Sequence, residues 1–163
     1  MIDLHIHSYF SEDGQYSPKE LVALCAGAGV KLMSIADHNC AKANRPAQIE
    51  AEKKGICYIP GIEVDCTFEG VGLHVLGYGI DPESHHMKAL EENVARQNAQ
   101  ASRERLRKTQ ALGFAITEDE LRELSGGSYW PDSWPGEMFA EVLLATPCWS
   151  PTGPAARGAI IHM

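Results

Sequence analysis

Two histidines separated by one residue lie near the start of the chain, in the segment Asp3-Leu4-His5-Ile6-His7. On a β-strand the side chains alternate between faces, so Asp3, His5 and His7 would share one face and the apolar Leu4 and Ile6 the other. Two imidazoles about 7 Å apart, with a carboxylate behind them, make a suitable start for a metal site. Taken alone, the pattern also fits an ordinary edge strand with two solvent-facing histidines.

Further imidazole and carboxylate side chains follow later predicted strands. Asp37 and His38 come directly after the apolar run Leu32–Ala36, Glu63 ends a third strand, and His74 lies in the next one. Each also has an ordinary structural interpretation: Asp37-His38 fits a helix cap, Glu63 an edge-strand carboxylate, and His74 a hydrogen-bonded strand histidine. Because the ends of parallel strands meet at one rim of an α/β fold, their joint placement favours a single shared site. Mixed imidazole and carboxylate ligands suit zinc, manganese or iron.

The elements that must position these residues predict an α/β fold. The first helix begins with a capping box, in which Ser17 is the N-cap and Glu20 the reciprocal partner. Alternating strands and helices predict parallel crossovers in a sheet or barrel, followed by a hairpin and a long helix. The predicted strands cover residues 2–7, 30–36, 56–63, 62–68 and 73–78, and the predicted helices cover 18–28, 45–54, 82–112, a short stretch after Thr117 and 137–145.

Composition narrows the class of protein. The 163 residues are 44% hydrophobic with a formal net charge of −8, which disfavours a nucleic-acid or anionic-membrane footprint. No apolar run approaches the ~20 residues needed to span a membrane, and the N-terminus has a strand pattern rather than a signal peptide. The five cysteines include no Cys-x-x-Cys pair, so we expect a cytoplasmic protein with mostly buried thiols. Cys40 is either near a metal or, as we favour, a small buried hydrophobe.

Three regions are predicted along the chain. Residues 1–81 hold the candidate ligands, residues 82–145 are helical, and residues 146–163 lack periodicity and are expected to be irregular, non-native or disordered. Arg96 and Arg103 on the long helix are candidate substrate-binding residues. The basic residues near that helix's C-terminal end also fit a solvated face that complements the helix dipole.

Four ordered segments resemble the PHP (polymerase and histidinol phosphatase) phosphoesterase family, most closely its small bacterial members. They are residues 3–14, 35–39, 60–64 and 74–78. The resemblance implies that the chain is the N-terminal part of a distorted (β/α)7 barrel with a helical insertion. It also implies two or three divalent metal ions at the C-terminal ends of the strands.

The resemblance assigns a role to several of the candidates. His5 and His7 resemble ligands of a first metal, Glu63 the carboxylate that bridges two metals, and His74 a ligand of the second. His38 resembles a ligand of a third metal.

An acidic residue after Ser11 resembles the partner of His38 at that third metal. Glu12 matches by its distance from His5 and Asp13 by its adjacency to Gly14, so both stay candidates, with Glu12 favoured. Asp3 and Asp37 are expected to accept imidazole N–H bonds and thereby orient the ligands. Glu63 and Asp37 are the candidate catalytic residues.

The expected activity is metal-dependent hydrolysis of a phosphomonoester on a small molecule, with a nucleotide as one candidate. Complete family members supply three further ligands from segments like Ala-His-Pro and Ser-Asp-x-His, which this sequence lacks. The alternative is therefore a truncated or frameshifted metal-binding fragment with weak or no activity. Such a fragment is expected to form a homo-oligomer through the long helix and the Trp130/Trp134 region, since an incomplete sheet leaves open edges.

Overall fold

The computed structural model describes residues 1–145, so the predictions for 146–163 and for Cys148 lie outside the described residues. The chain divides into two compact units, one covering Met1–Val94 and the other beginning at Ala95. The division predicted from sequence at residues 81 and 145 stays a prediction. Within residues 1–145, no helix is both long and apolar enough to cross a membrane.

The first unit contains a three-stranded sheet whose pairing is parallel, as the alternating pattern predicts, and whose order is β1-β2-β3. Its helices pack on this sheet around a core that includes Val22, Met33, Ile35, Ala47 and Ile56. The elements are β1 (Ile2–Ile6), α1 (Pro18–Gly27), β2 (Leu32–Ile35), α2 (Asn44–Lys53) and β3 (Cys57–Tyr58).

The start of α1 is set by local hydrogen bonds. Glu20 N–H donates to Ser17 Oγ at 3.2 Å, and Ser17 N–H donates to Glu20 Oε2 at 2.8 Å. This pair is the predicted capping box, and it satisfies two backbone donors that the first turn leaves without helical partners. Leu21, Val22 and Cys25 then face the core.

The predicted strand over residues 56–63 is wrong in its continuity. β3 ends at Tyr58, and β4 (Gly61–Phe68) belongs to a separate two-stranded antiparallel sheet with β5 (Val71–Tyr78). Pro60 has no backbone N–H to continue the ladder. Gly61 passes so close to β2 that an added Cβ would lie 2.2 Å from Ser34 Oγ, which explains why a glycine begins β4. Glu63 therefore lies inside β4 rather than at the end of β3.

The β4–β5 hairpin has a shorter turn than the predicted Glu69–Gly72. Only Glu69 and Gly70 connect the strands, with φ of 50° and 79°. Two consecutive positive φ values are those of a type I′ turn, which matches the twist of a hairpin. The continuous pairing sets Asp65 opposite His74 and Glu63 opposite Leu76. Within residues 1–145 neither sheet closes, so the α/β class is confirmed and the barrel stays a prediction.

The second unit is helical. It contains most of α3 (His85–Ala111), α4 (Glu118–Leu124) and α5 (Gly136–Ala145). Thr117 caps α4 through a second capping box, with Glu120 as the reciprocal partner. Arg96 and Arg103 occupy exposed positions on α3.

Trp130 and Trp134 are only 7% and 1% exposed, and Trp134 belongs to the core of the second unit with Leu106, Ile116 and Leu121. The expectation that these two tryptophans form a partner contact is therefore wrong, because they are already buried within the chain. Trp134 N–H donates to the buried Ser102 Oγ at 2.8 Å, which ties this loop to α3.

Candidate metal centre

Seven side chains of the first unit converge at one end of β1 and β2, beside the hairpin. Neighbouring imidazole rings follow each other at centroid distances of 5.0 Å (His5–His7), 4.7 Å (His7–His38) and 5.0 Å (His38–His74). Carboxylates lie between them and complete three overlapping groups, in each of which the ligand atoms are within 4.8 Å of one another. The groups are His5–His7–Glu63, His7–Asp13–His38 and His38–Asp65–His74.

The backbone brings these ligands together through a parallel bridge between His38 and Glu63. Glu63 N–H donates to the Asp37 carbonyl at 3.1 Å, and Asn39 N–H donates to the Glu63 carbonyl at 2.7 Å. The loop after β2 is thus held alongside β4. β1 pairs with β2 and carries His5 near its end. The segment with His5 and His7 and the loop with His38 therefore both face the Glu63 carboxylate.

Glu63 is the centre of the cluster, with a side chain only 3% exposed. Its Oε2 lies 2.8 Å from His5 Nε2 and 2.9 Å from His7 Nε2, and its Oε1 lies 2.8 Å from His74 Nδ1. Burial acts to raise the pKa of this carboxyl, but the hydrogen bond from His5 and the charges of His38, His5 and His7 outweigh burial. The pKa of Glu63 is therefore lower than usual, and the group is a carboxylate at neutral pH.

The surroundings of His7 test whether a cation fits the site. Nδ1 lies 2.9 Å from both carboxylate oxygens of Asp13, and Nε2 lies 2.9 Å from Glu63 Oε2. A neutral imidazole has one N–H, so it cannot donate to both carboxylates. Nε2 is buried and has no partner with hydrogen-bond geometry. A divalent ion between the imidazole lone pair and the Glu63 carboxylate would satisfy both groups, so the donor set fits a metal.

The loop after β1 distinguishes the two acidic candidates. Asp13 joins the group with His7 and His38, whereas Glu12 is in none of the three groups found among residues 1–145. The loop folds back so tightly that a Cβ on Gly14 would lie 1.9 Å from the Ser8 carbonyl oxygen. Asp13 precedes this close approach, and its place in the group with His7 and His38 favours it over Glu12.

Asp37 accepts two hydrogen bonds from Ser8 in this loop. Ser8 N–H donates to Asp37 Oδ1 at 2.6 Å, and Ser8 Oγ donates to Oδ2 at 2.7 Å. Burial raises the pKa of Asp37, although the bonds from Ser8, the charge of His7 and a bond from Ser11 act in the opposite direction. Asp3 is exposed and accepts from the His5 backbone N–H at 3.4 Å. The predicted orienting bonds from imidazole rings to these two aspartates stay predictions.

Sequence reasoning missed Asp65. This residue follows Glu63 by two positions on β4, so the two side chains share a face, and it pairs with His74 in the hairpin register. Strand alternation from the candidate ligand Glu63 is the signal that would have identified it. The carboxylate lies 2.8 Å from His38 Nδ1 and 3.7 Å from His74 Nε2.

The cysteines are only partly as expected. Cys25 and Cys40 are buried, but Cys57 and Cys66 are exposed. Cys40 Sγ lies 3.8 Å from Glu91 Oε2, and burial above all raises the pKa of the thiol to about 12. A protonated, buried thiol fits the structural interpretation of Cys40 better than metal ligation.

A profile of the PHP domain matches residues 3–129. The chain belongs to the PHP domain family. The resemblance predicted from the four sequence segments is thus confirmed. For a PHP domain, the mixed histidine and carboxylate cluster indicates divalent metal ions as cofactors.

Two curated relatives and one solved structure illustrate the likeness of this PHP chain to known proteins. The chain is 30% identical over 114 residues to a 3′,5′-nucleoside bisphosphate phosphatase of Chromobacterium violaceum, a match that covers 70% of the chain and 40% of the relative. It is 34% identical over 131 residues to the 5′-3′ exoribonuclease Rnm of Escherichia coli, covering 77% and 44%. A crystal structure of a proposed metal-dependent phosphoesterase from Bifidobacterium adolescentis superposes with a TM-score of 0.66 at 27% identity, covering 88% and 49%. The PHP chain therefore spans less than half the length of each of these proteins.

Proposed function

We propose that this PHP chain carries the metal-binding centre of a hydrolase that cleaves a phosphomonoester on a small molecule. The convergence of four imidazoles and three carboxylates around the buried Glu63 carries this proposal. Two or three bound zinc, manganese or iron ions would supply an activated water and neutralise the phosphoryl oxygens.

Within the proposed centre each residue has a defined task. His5, His7 and His74 surround Glu63 and would hold ions together with this carboxylate. His38 and Asp13 would hold a further ion on the other side of His7. Asp37 fixes the loop that carries the acidic ligand, through its two bonds to Ser8.

The charge of the centre predicts that metal binds before substrate. Its three carboxylates carry three formal negative charges, and its four imidazoles add no charge in their neutral form. The formal net charge of the metal-free centre with neutral imidazoles is therefore negative. Such a site repels a phosphate ester and attracts cations. We therefore expect phosphate binding to depend strictly on loaded metal.

A nucleotide is the substrate class that we favour. One relative of the chain is named a nucleoside bisphosphate phosphatase, and a small phosphorylated molecule does not need a basic surface. The formal net charge of −8 fits a small substrate better than a long polyanion.

The test uses the purified full chain. Metal content by mass spectrometry and phosphate release from p-nitrophenyl phosphate and a nucleoside 3′,5′-bisphosphate would be measured side by side. We expect bound divalent metal and phosphate release that the Glu63→Gln variant loses. A metal-loaded chain that releases no phosphate from any of these esters would overturn the proposal.

The names of other relatives favour a second candidate, removal of nucleotides from the 5′ end of RNA. The acidic chain opposes this candidate, since RNA binding normally relies on Lys and Arg contacts with phosphates. A 5′-phosphorylated oligoribonucleotide discriminates between the two. Release of mononucleotides in preference to inorganic phosphate would support the exoribonuclease reaction.

A further inference from the structure

Asp65 is hydrogen-bonded on both oxygens to the loop that carries His38. Its Oδ1 lies 2.8 Å from His38 Nδ1, and its Oδ2 accepts from Asn39 Nδ2 at 2.8 Å. Asp65 N–H in turn donates to Asn39 Oδ1 at 3.0 Å. The side chain and the backbone of Asp65 are thus both tied to this loop.

The backbone at Asn39 shows that the loop is held in a specific conformation. Asn39 has a φ of 55°, in the left-handed region that asparagine tolerates better than most residues. The reciprocal pair with Asp65 and the bond from Asn39 N–H to the Glu63 carbonyl hold this turn in place. His38 precedes the turn, so its ring position depends on the same contacts.

The two nitrogens of His38 face different groups. Nδ1 faces Asp65, whereas Nε2 lies 3.7 Å from Glu63 Oε2 and 3.8 Å from Asp13 Oδ2. A carboxylate accepts but does not donate, so a bond to Asp65 places the proton of a neutral His38 on Nδ1. The lone pair of Nε2 then faces the metal side. A carboxylate bonded to the far nitrogen of a metal-binding histidine is a common way to fix its tautomer.

We propose that Asp65 is a positioning residue that holds His38 as the Nδ1–H tautomer, with Nε2 facing Glu63 and Asp13. The metal-binding consequence rests on the proposed function, but the tautomer does not. A different role is available to Asp65, because its Oδ1 also lies 3.7 Å from His74 Nε2 and these residues form one of the three candidate groups. The engagement of both oxygens and the backbone with the His38 loop favours positioning over ligation.

Long-range 1H–15N NMR of the metal-free chain at pH 8 reads the tautomer directly. We expect the Nδ1–H form for His38 in the unmodified chain. Asp65→Leu should shift His38 toward the Nε2–H form. Glu69→Gln, at the tip of the same hairpin, is the matched control and should leave the tautomer unchanged.

Calorimetric titration with Mn²⁺ supplies a second readout. Asp65→Leu should weaken the binding of one ion about 10- to 100-fold while the number of bound ions is retained. An Nε2–H tautomer or a doubly protonated His38 in the unmodified chain would overturn the proposal. So would loss of one whole ion from Asp65→Leu with an unchanged tautomer, which would make Asp65 a ligand. A chain that binds no metal but shows the Asp65-dependent tautomer would retain the positioning role and contradict the proposed function instead.

Discussion

Asn44 and Gly61 are joined by two hydrogen bonds: Gly61 N–H donates to Asn44 Oδ1, and Asn44 Nδ2 donates to the Gly61 carbonyl, both at 2.8 Å. Asn44 is the first residue of α2 and is only 1% exposed, and Tyr58 Oη also donates to its Oδ1 at 3.0 Å. This single side chain therefore joins the end of β3 to the start of β4, two residues before Glu63.

Asn44→Ala should destabilise the chain by at least about 2 kcal/mol, since each buried polar group left without a partner costs roughly 1–3 kcal/mol. Urea unfolding monitored by circular dichroism measures the change. Gln100→Ala, at an exposed position of α3, should alter the free energy of unfolding by less than about 0.5 kcal/mol. Equal stability of the two variants would show that the Asn44 bonds contribute little.

Metal binding should depend on the residues that contact Glu63. His7→Ala and Glu63→Ala are each expected to lower the metal-to-protein ratio, because each removes a donor shared within the cluster. His85→Ala removes an exposed histidine outside the three groups and should leave the ratio unchanged. Unchanged metal content in the first two variants would sink the proposed centre.

Features of this fold that depend on interactions between residues close in the sequence could be predicted, whereas features that depend on tertiary contacts could not. The capping boxes at Ser17 and Thr117 and the parallel strand pairing follow from local patterns, and all three are present in the fold. The break before Gly61 depends on tertiary contacts with Ser34 and Asn44, which no window of sequence contains. The sequence favoured Glu12 over Asp13 by its distance from His5, whereas the fold groups Asp13 with His7 and His38, a proximity that no window of sequence contains.

The thiols should differ sharply in reactivity. The pKa of Cys40 is raised to about 12 and that of Cys25 is also raised, in both cases chiefly by burial, so almost no thiolate is available at pH 8. Cys57 and Cys66 are exposed and should react with a water-soluble disulfide reagent at least about tenfold faster. Peptide mapping after timed labelling separates the sites. Labelling of Cys40 at the rate of Cys57 would contradict its burial.

We predict that the chain self-associates through one face of the hairpin. Phe68, Val71, Leu73 and Val75 share this face by strand alternation and register, and they are 64%, 60%, 42% and 50% exposed. An exposed apolar surface of this kind favours contact with a second copy.

Light scattering at micromolar concentration tests this prediction. The chain should be larger than a monomer, and the double variant Leu73→Lys/Val75→Lys should shift it to the monomeric mass. Leu24→Lys, at an exposed position of α1, is the control and should leave the association intact. A monodisperse monomer before any substitution would rule the interface out.

The type I′ turn of the hairpin has a consequence for inserted sequence. Glu63 and His74 lie on strands whose pairing runs without interruption from Gly61–Tyr78 to Phe68–Val71, so their separation does not depend on the tip. Residues grafted between Glu69 and Gly70 should leave both side chains in place. One residue added within β5, between Val71 and His74, would instead reverse the facing of every position beyond it. The hairpin can therefore gain length in evolution or engineering at its tip, whereas its strands must keep their present register.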